Sequence, residues 1–203
     1  MLFRSRQTAG VDFQLATSTF LGSENLSLGG YFLHTTNPAK TGDSDAFGLK
    51  AEYPNDLWNA SFAFREVQPN FSPAVGFVPR TGFRQYSPVF SLNPRPRNHP
   101  LVRRVSFGAE GNVLSDMGHR LLERTITMTP VQVELQTQDT LTFSVVSSHE
   151  RLERNFAISR GVTLPAGSEY DYTRYVARAS TANRRVLAFD GRVEWGSFYS
   201  GTR

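Results

Sequence analysis

The chain is dominated by segments in which apolar and polar residues alternate one by one. In residues 56–67, DLWNASFAFREV, the large side chains of Trp58, Phe62 and Phe64 share one parity. The positions between them are small or polar and end in Arg65. Because successive side chains of a β-strand point to opposite faces, this alternation predicts a strand with one aromatic face.

Similar alternation recurs along the whole chain, whereas helical periodicity is nearly absent. Most predicted strands have about 9–12 residues, longer than ordinary strands and close to the length of a tilted strand that crosses a bilayer. The alternating segments lie near residues 10–19, 26–36, 45–53, 57–66, 83–93, 102–113, 121–135, 140–149, 170–181 and 186–196. The pattern predicts an all-β fold, an antiparallel up-and-down meander of about ten long strands that is part of a transmembrane β-barrel.

The predicted connections tend to alternate between short and long. Outer-membrane barrels have short periplasmic turns and longer loops outside the cell, whereas a soluble sandwich has no reason to collect its long loops at one end. We therefore expect the long connections 67–82 and 150–169 to lie outside the cell. The short connections 54–56, 94–100 and 136–139 are expected on the periplasmic side.

The apolar face of each predicted strand is expected to contact lipid, while the opposite face, rich in hydroxyls and in charges of both signs, lines a wet lumen. Aromatic residues at strand ends suit the level of the lipid headgroups. The residues predicted to face lipid are Phe47, Leu49, Tyr53, Trp58, Phe62, Phe64, Phe107, Phe143, Phe189 and Trp195. The same pattern also fits a soluble antiparallel sheet with these side chains in its core, and the sequence leaves both alternatives open.

Composition narrows the function classes. The 203 residues suffice for one β domain, residues 1–203, and the absence of cysteine excludes disulfides and cysteine-ligated zinc. Lys40 and Lys50 are the only lysines among 22 basic residues, and the arginines are scattered rather than clustered, so no nucleic-acid partner is expected. No apolar run reaches the length of a membrane helix, and the start of the sequence has no apolar signal-peptide region.

Candidate catalytic chemistry is sparse. The four histidines are far apart and lack metal-ligand spacing, so no metal, cofactor or catalytic residue is assigned. Glu66, Glu150 and Glu153 fall at strand ends or in long connections and could in principle pair as glycosidase carboxylates. Nothing in the sequence fixes their separation, so solvated charge is the favoured interpretation and enzymatic activity is not expected.

The connection after the fourth predicted strand is unusually apolar, with Phe71, Phe77 and Phe83 among several prolines. We expect it to pack, either over the barrel mouth, back into the lumen, or on itself. Arginines near this end, or on the polar faces, are candidate ligand contacts at the mouth or in the lumen: Arg65, Arg80, Arg84 and Arg192.

Four segments carry a resemblance to a known family: REVQPNFSPAVGFVPRTGFR (65–84), PRPRNHPLVRR (94–104), GVTLPAGSEYDYTRY (161–175) and WGSFYSGTR (195–203). They resemble a bacterial family of unknown function, an outer-membrane β-barrel domain that commonly follows a carbohydrate-binding module similar to family 9. The resemblance implies a location in the bacterial outer membrane and contact with its lipid. In full-length relatives it implies carbohydrate binding through the N-terminal module.

Two departures from that family limit what the resemblance implies. The carbohydrate-binding module is missing here, so no sugar-binding residue is assigned. The chain ends SGTR, without the aromatic residue that closes a last strand, so we expect a fragment of a larger barrel and leave its closure open. The expected function is an outer-membrane β-barrel segment that anchors a surface or periplasmic sugar-binding module or passes a solute. The alternatives are a soluble all-β binding module and a component of a cell-surface carbohydrate-active hydrolase.

Overall fold

The regular structure is entirely β in a computed structural model of the chain, which describes residues 6–37, 42–159, 161–199 and 201–202. No helix in this described part has the length and apolar character needed to cross a membrane. The strands are β1 (Gln7–Phe20), β2 (Glu24–Thr36), β3 (Asp45–Pro54), β4 (Trp58–Val67), β5 (Phe83–Leu92), β6 (Val102–Asp116), β7 (Leu121–Leu135), β8 (Thr140–Arg151), β9 (Phe156–Ser159), β10 (Val162–Leu164), β11 (Glu169–Ser180), β12 (Asp190–Phe198) and β13 (Gly201–Thr202).

The main sheet confirms the predicted antiparallel meander. Its 11 strands follow the sequence order β1 to β8, then β11, β12 and β13. β1 and β13 stand at opposite ends of this order, and the described sheet is not closed into a barrel. The remaining strands, β9 and β10, pair with each other as a small separate hairpin inside the connection that the alternation had marked only as a loop.

The last long strand begins later than predicted. The apolar residues Val186 and Leu187 belong to the turn 181–189 instead, where both are almost fully exposed. This turn is closed by Thr181, whose backbone N–H donates to the carbonyl of Phe189 at 2.9 Å and whose Oγ1 accepts from the Phe189 N–H at 2.8 Å. The alternating apolar pattern begins before the strand, because alternation does not show where backbone pairing starts.

Successive connections of a meander fall alternately at the two ends of the strands. The longest ones, 68–82 and 152–168, therefore follow strands that run in the same direction. We call their side the long-connection end. The other side, with connections such as 21–23, 55–57 and 136–139, is the short-connection end.

The chain divides into two compact units. Unit 1 comprises Met1–Asn55, Ala60–Pro88 and Val113–Leu121, and unit 2 comprises Asp56–Asn59, Val89–Asn112 and Leu122–Arg203. Among the described residues, few apolar side chains are buried in either unit. Those of unit 1 are Ala46, Val67, Phe71, Phe83 and Leu114, and those of unit 2 are Leu122, Leu152 and Ala182.

The core of unit 1 lies at its long-connection end, where the 68–82 segment packs on the strand ends. Phe71 supplies the buried ring of this segment, and the backbone N–H of Ser72 donates to Thr35 Oγ1 at 3.2 Å. The Ala74 N–H donates to Thr8 Oγ1 at 2.9 Å. Thr8 and Thr35 are cross-strand partners, so the segment is fastened to β1 and β2 rather than packed only on itself.

Candidate functional site: the two faces of the sheet

The strand register collects the large apolar side chains of unit 1 on one face. Val11 is opposite Phe32, and Phe32 is in turn opposite Phe47. The ring of Phe47 lies 5.9 Å from that of Phe64, which lies 5.1 Å from that of Tyr86. Because directly opposite residues share a face, β1 to β5 present one apolar face in this unit.

Unit 2 repeats the arrangement with its own strands. One cross-strand row contains Met128, Val145, Tyr175 and Trp195, and the next contains Val131, Phe143, Ala177 and Val193. The rings of Tyr175 and Trp195 stack at 5.9 Å. The small residues Ala177 and Ala179, which made the alternation of β11 look weak, line an apolar hollow of about 550 Å³ walled by Phe143 and Phe189.

The residues predicted to face lipid fall on these apolar faces. A Cβ added to Gly108 would lie near Ser91 and Thr129 on the polar face. The side chain of the preceding residue, Phe107, therefore lies on the apolar face. Between 42% and 60% of the side-chain surface is exposed for Leu49, Trp58, Phe62, Phe107, Phe189 and Trp195. Neighbouring rings leave Phe47, Tyr53, Phe64 and Phe143 half-buried.

The opposite face is polar and carries charges of both signs. In unit 1 it forms a hollow of about 670 Å³ whose lining includes Tyr31, Lys50, Glu52 and Arg65. Lys50 Nζ lies 2.6 Å from Glu52 Oε1, and Arg65 Nη2 donates to Gln85 Oε1 at 2.6 Å. The guanidinium of Arg65, one of the predicted ligand contacts, also lies over the ring of Phe83. Opposite charges thus balance within this hollow.

Unit 2 has the same kind of polar face. Glu194 accepts from Arg174 at 2.6 Å and from Arg192 at 2.8 Å. Arg178 is paired with Asp190 at 2.6 Å, and Thr129 and Ser144 share a hydrogen bond of 3.0 Å.

The four arginines proposed as mouth or lumen contacts occupy different places. Arg65 and Arg192 lie on the polar faces of their units, and Arg80 lies half-buried in the 68–82 segment. Arg84 lies at the end of β5 on the side of Tyr86, where its Nε donates to Glu66 Oε2 at 2.6 Å. Arg65, Arg80 and Arg84 thus belong to unit 1, whereas Arg192 belongs to unit 2.

An aromatic cluster on the polar face of unit 2 escaped the sequence analysis. Tyr199 is at its centre, with rings of Tyr170, Tyr172 and Phe198 within 5.6 Å of its own. The hydroxyl of Tyr199 donates to Glu150 Oε2 at 2.7 Å. Burial and this hydrogen bond raise the pKa of Tyr199 above its ordinary value. The rings pack on one another, which indicates a small local core rather than a ligand cage.

The sequence analysis also missed charged residues at the long-connection end of the apolar faces. In unit 1, His34 Nδ1 lies 2.6 Å from Asp45 Oδ1, directly beyond the Phe32–Phe47 pair. In unit 2, the corresponding positions hold Arg124, His149, Arg151, Glu169 and Asp171. A signal was present in the sequence, because these residues lie two to six positions beyond the last apolar residue of the same parity on their strands.

The carboxylates considered for glycoside hydrolysis are engaged locally. Glu66 is ion-paired with Arg84 in unit 1, and Glu150 accepts from Tyr199 in unit 2. Within the described residues, no group of three or more histidine, aspartate or glutamate side chains is arranged to hold a metal ion.

Comparison with known proteins adds no relative. No protein-family model, curated protein or solved structure matches the chain. Functional inference therefore depends on the two faces of the sheet and on the paired charges at their ends.

Proposed function

We propose that this chain is a segment of a bacterial outer-membrane β-barrel, with its apolar face in lipid and its polar face toward an aqueous interior. The observation that supports the proposal is the exposure of large apolar side chains on one face of each unit. A soluble monomer rarely exposes contiguous apolar patches beyond a few hundred Å². An outward apolar band opposite a polar interior is the pattern of transmembrane barrels.

Three further features agree with this proposal. The strands alternate apolar and polar side chains over 9 to 15 residues, which covers the length needed to cross a bilayer at a tilt. The polar faces carry paired charges and hydroxyls, as expected of a surface in contact with water. Buried apolar side chains are few and gather near strand ends, so the sheet lacks an ordinary interior core among its described residues.

The proposed role in the cell follows from the resemblance of residues 65–84 and the three other segments to outer-membrane domains. We infer that the barrel anchors a sugar-binding module in full-length relatives or passes a solute through its interior. The polar hollow of unit 1, which has both signs of charge, suits a solute path better than a path selective for one ion.

A face-specific charge insertion tests the proposal. Phe62→Arg is expected to destabilise the folded protein by about 2–4 kcal/mol if position 62 is near the bilayer midplane, because the charge would enter hydrocarbon. Ser61→Arg, at the adjacent position on the polar face, is the matched control and should cost far less. Folding titrations of the full-length protein in lipid vesicles measure both. Equal costs, or a larger cost at position 61, would overturn the face assignment and favour a soluble sheet.

A further inference from the structure

We propose that Arg124, His149 and Arg151 bind the phosphate of an anionic lipid headgroup at the long-connection end of unit 2. This inference rests on the proposed membrane function and names a partner for one place on its surface. We call the three side chains the β7–β8 basic group.

The register places the group on the apolar face. Arg124 is directly opposite His149, and Ile126 and Met128 follow it on the same face of β7. Arg151 lies two residues beyond His149 and therefore also shares this face. The group thus forms the last rows of the face that contains Val145 and Trp195.

Two carboxylates of β11 contact the group. Asp171 Oδ1 lies 3.3 Å from Arg124 Nη2 and 3.1 Å from His149 Nδ1, and Glu169 is ion-paired with Arg151. Both acidic residues belong to β11, so the basic side chains lie on β7 and β8 and the carboxylates on the neighbouring strand. The carboxylates orient the basic side chains, while the β7–β8 side presents positive charge.

The arginines retain capacity for another acceptor. Their side chains are 36% and 26% exposed, for Arg124 and Arg151 respectively. A guanidinium has five N–H donors, and Nε of Arg124 has no hydrogen-bond partner although it is buried. A phosphate oxygen is a suitable acceptor because arginine recognises phosphate through two parallel N–H donors.

The position of these basic residues along their strands favours a lipid headgroup as the source of the phosphate. Arg124 is opposite His149 and Val133 is opposite Leu141, so the two rows are eight residues apart on β8, about 26 Å at about 3.3 Å per residue. A tilt of about 40° reduces this to about 20 Å across the membrane, most of the height of about 25 Å of an outer-membrane apolar band. The basic group then lies where the hydrocarbon ends and phosphate begins.

The test compares two arginine pairs on opposite faces of unit 2. The full-length protein is placed in vesicles of phosphatidylcholine with a minority of phosphatidylglycerol, extracted in mild detergent, and its retained lipids are quantified by mass spectrometry. The variant is Arg124→Gln with Arg151→Gln. The control is Arg178→Gln with Arg192→Gln, which removes two ion-paired arginines from the polar face.

The apolar-face variant is expected to lose phosphatidylglycerol enrichment by about fivefold for each arginine, the factor expected for one basic side chain at an anionic membrane surface. The control should keep the enrichment. A charge-conserving variant, Arg124→Lys with Arg151→Lys, should retain most of it and shows whether loss of fold explains the glutamine result.

Each other outcome is decisive. Unchanged enrichment in the glutamine variant, or equal loss in the control, would overturn the inference while leaving membrane insertion intact. Displacement of the lipid by millimolar inorganic phosphate would assign the group to a free anion instead and overturn the lipid source. Failure of the unsubstituted protein to enter vesicles would overturn the proposed function itself.

Discussion

The two faces of the sheet are made by the same strands, yet they reach stability in different ways. On the polar face of unit 2, Glu194 forms ion pairs with Arg174 and Arg192. On the apolar face, rings such as Tyr175 and Trp195 stack on each other but keep much of their surface exposed. Polar side chains are thus held by contacts within the protein, whereas large apolar side chains of the other face remain accessible to the surroundings.

The largest expected effect follows from the edges of the same sheet. If the apolar face lies in lipid, the unpaired backbone groups of edge strand β1 lie there too, and each costs several kcal/mol in hydrocarbon. Residues 1–203 alone are therefore expected not to insert as a stable monomer. Protease resistance and heat-modifiable migration of this chain in detergent measure the outcome. A resistant, heat-modifiable monomer would contradict this expectation and would show that the sheet closes by itself.

The orientation proposed for the sheet in the membrane predicts that the two ends of the strands differ completely in labelling from outside the cell. Ser72→Cys lies in the long 68–82 segment and Asn98→Cys in the short-connection end segment 93–101, and the natural chain has no cysteine. An impermeant thiol reagent on intact cells is expected to label position 72 and to spare position 98. Labelling in lysed cells controls for local burial. The reverse labelling pattern would contradict the assigned orientation.

A moderate effect is expected on the polar face at Gly48. A Cβ at this position would stand 2.6 Å from Tyr31 Cε1 and 3.0 Å from the carbonyl oxygen of Phe64, so Gly48→Ala displaces the Tyr31 ring. We expect a loss of about 1–3 kcal/mol in unfolding free energy, as for other overpacked sites. Gly29→Ala is the control, because its nearest neighbour is 3.5 Å away. Chemical denaturation measures both, and equal losses would contradict close packing of Tyr31 on Gly48.

The smallest effect concerns the short-connection end of unit 2. The Ala182 backbone N–H donates to Asp139 Oδ1 at 3.0 Å, and with Thr137 and Arg185 it lowers the pKa of Asp139 below its ordinary value of 3.8. A lowered pKa means that the contact stabilises the protein above pH 3.8 and that this stabilisation is lost as pH falls below it.

Asp139→Asn should therefore accelerate tryptic cleavage after Arg184 or Arg185 at neutral pH. The difference in unfolding between this variant and the natural protein should vanish as pH falls below 3.8. Denaturation curves across pH 2–7 measure it. A difference that persists at the lowest pH would assign the effect to geometry rather than to the carboxylate charge.

The sequence predicted the strands well because their alternation is local. Nearly every segment, including Trp58–Val67, appears in the sheet close to its predicted place, and the up-and-down order is confirmed. The late start of β12 and the β9–β10 hairpin were missed. In both cases the limits of the strand depend on backbone pairing, such as the contact of Thr181 with Phe189. Alternation of side chains carries no information about that pairing.

The candidate site was predicted only in part for a similar reason. Alternation assigned residues such as Phe62 and Trp195 to one face, and their environment remains a prediction. It did not reveal that Tyr199 meets Tyr170 and Tyr172, because Tyr199 follows β12 whereas the other two belong to β11. Nor did it reveal that Arg84 pairs with Glu66 beside the apolar face.

By itself, the sequence determined the all-β class, the strand lengths and the chemical contrast between the two faces, since each depends on residues one or two positions apart. The tertiary structure decided which residues stand opposite each other. Register brought Arg124, His149 and Asp171 together, although they are far apart in the chain. It also fastened the 68–82 segment to Thr8 and Thr35. Register is set by hydrogen bonds between distant segments, and a one-residue slip would move each side chain of a strand to the other face.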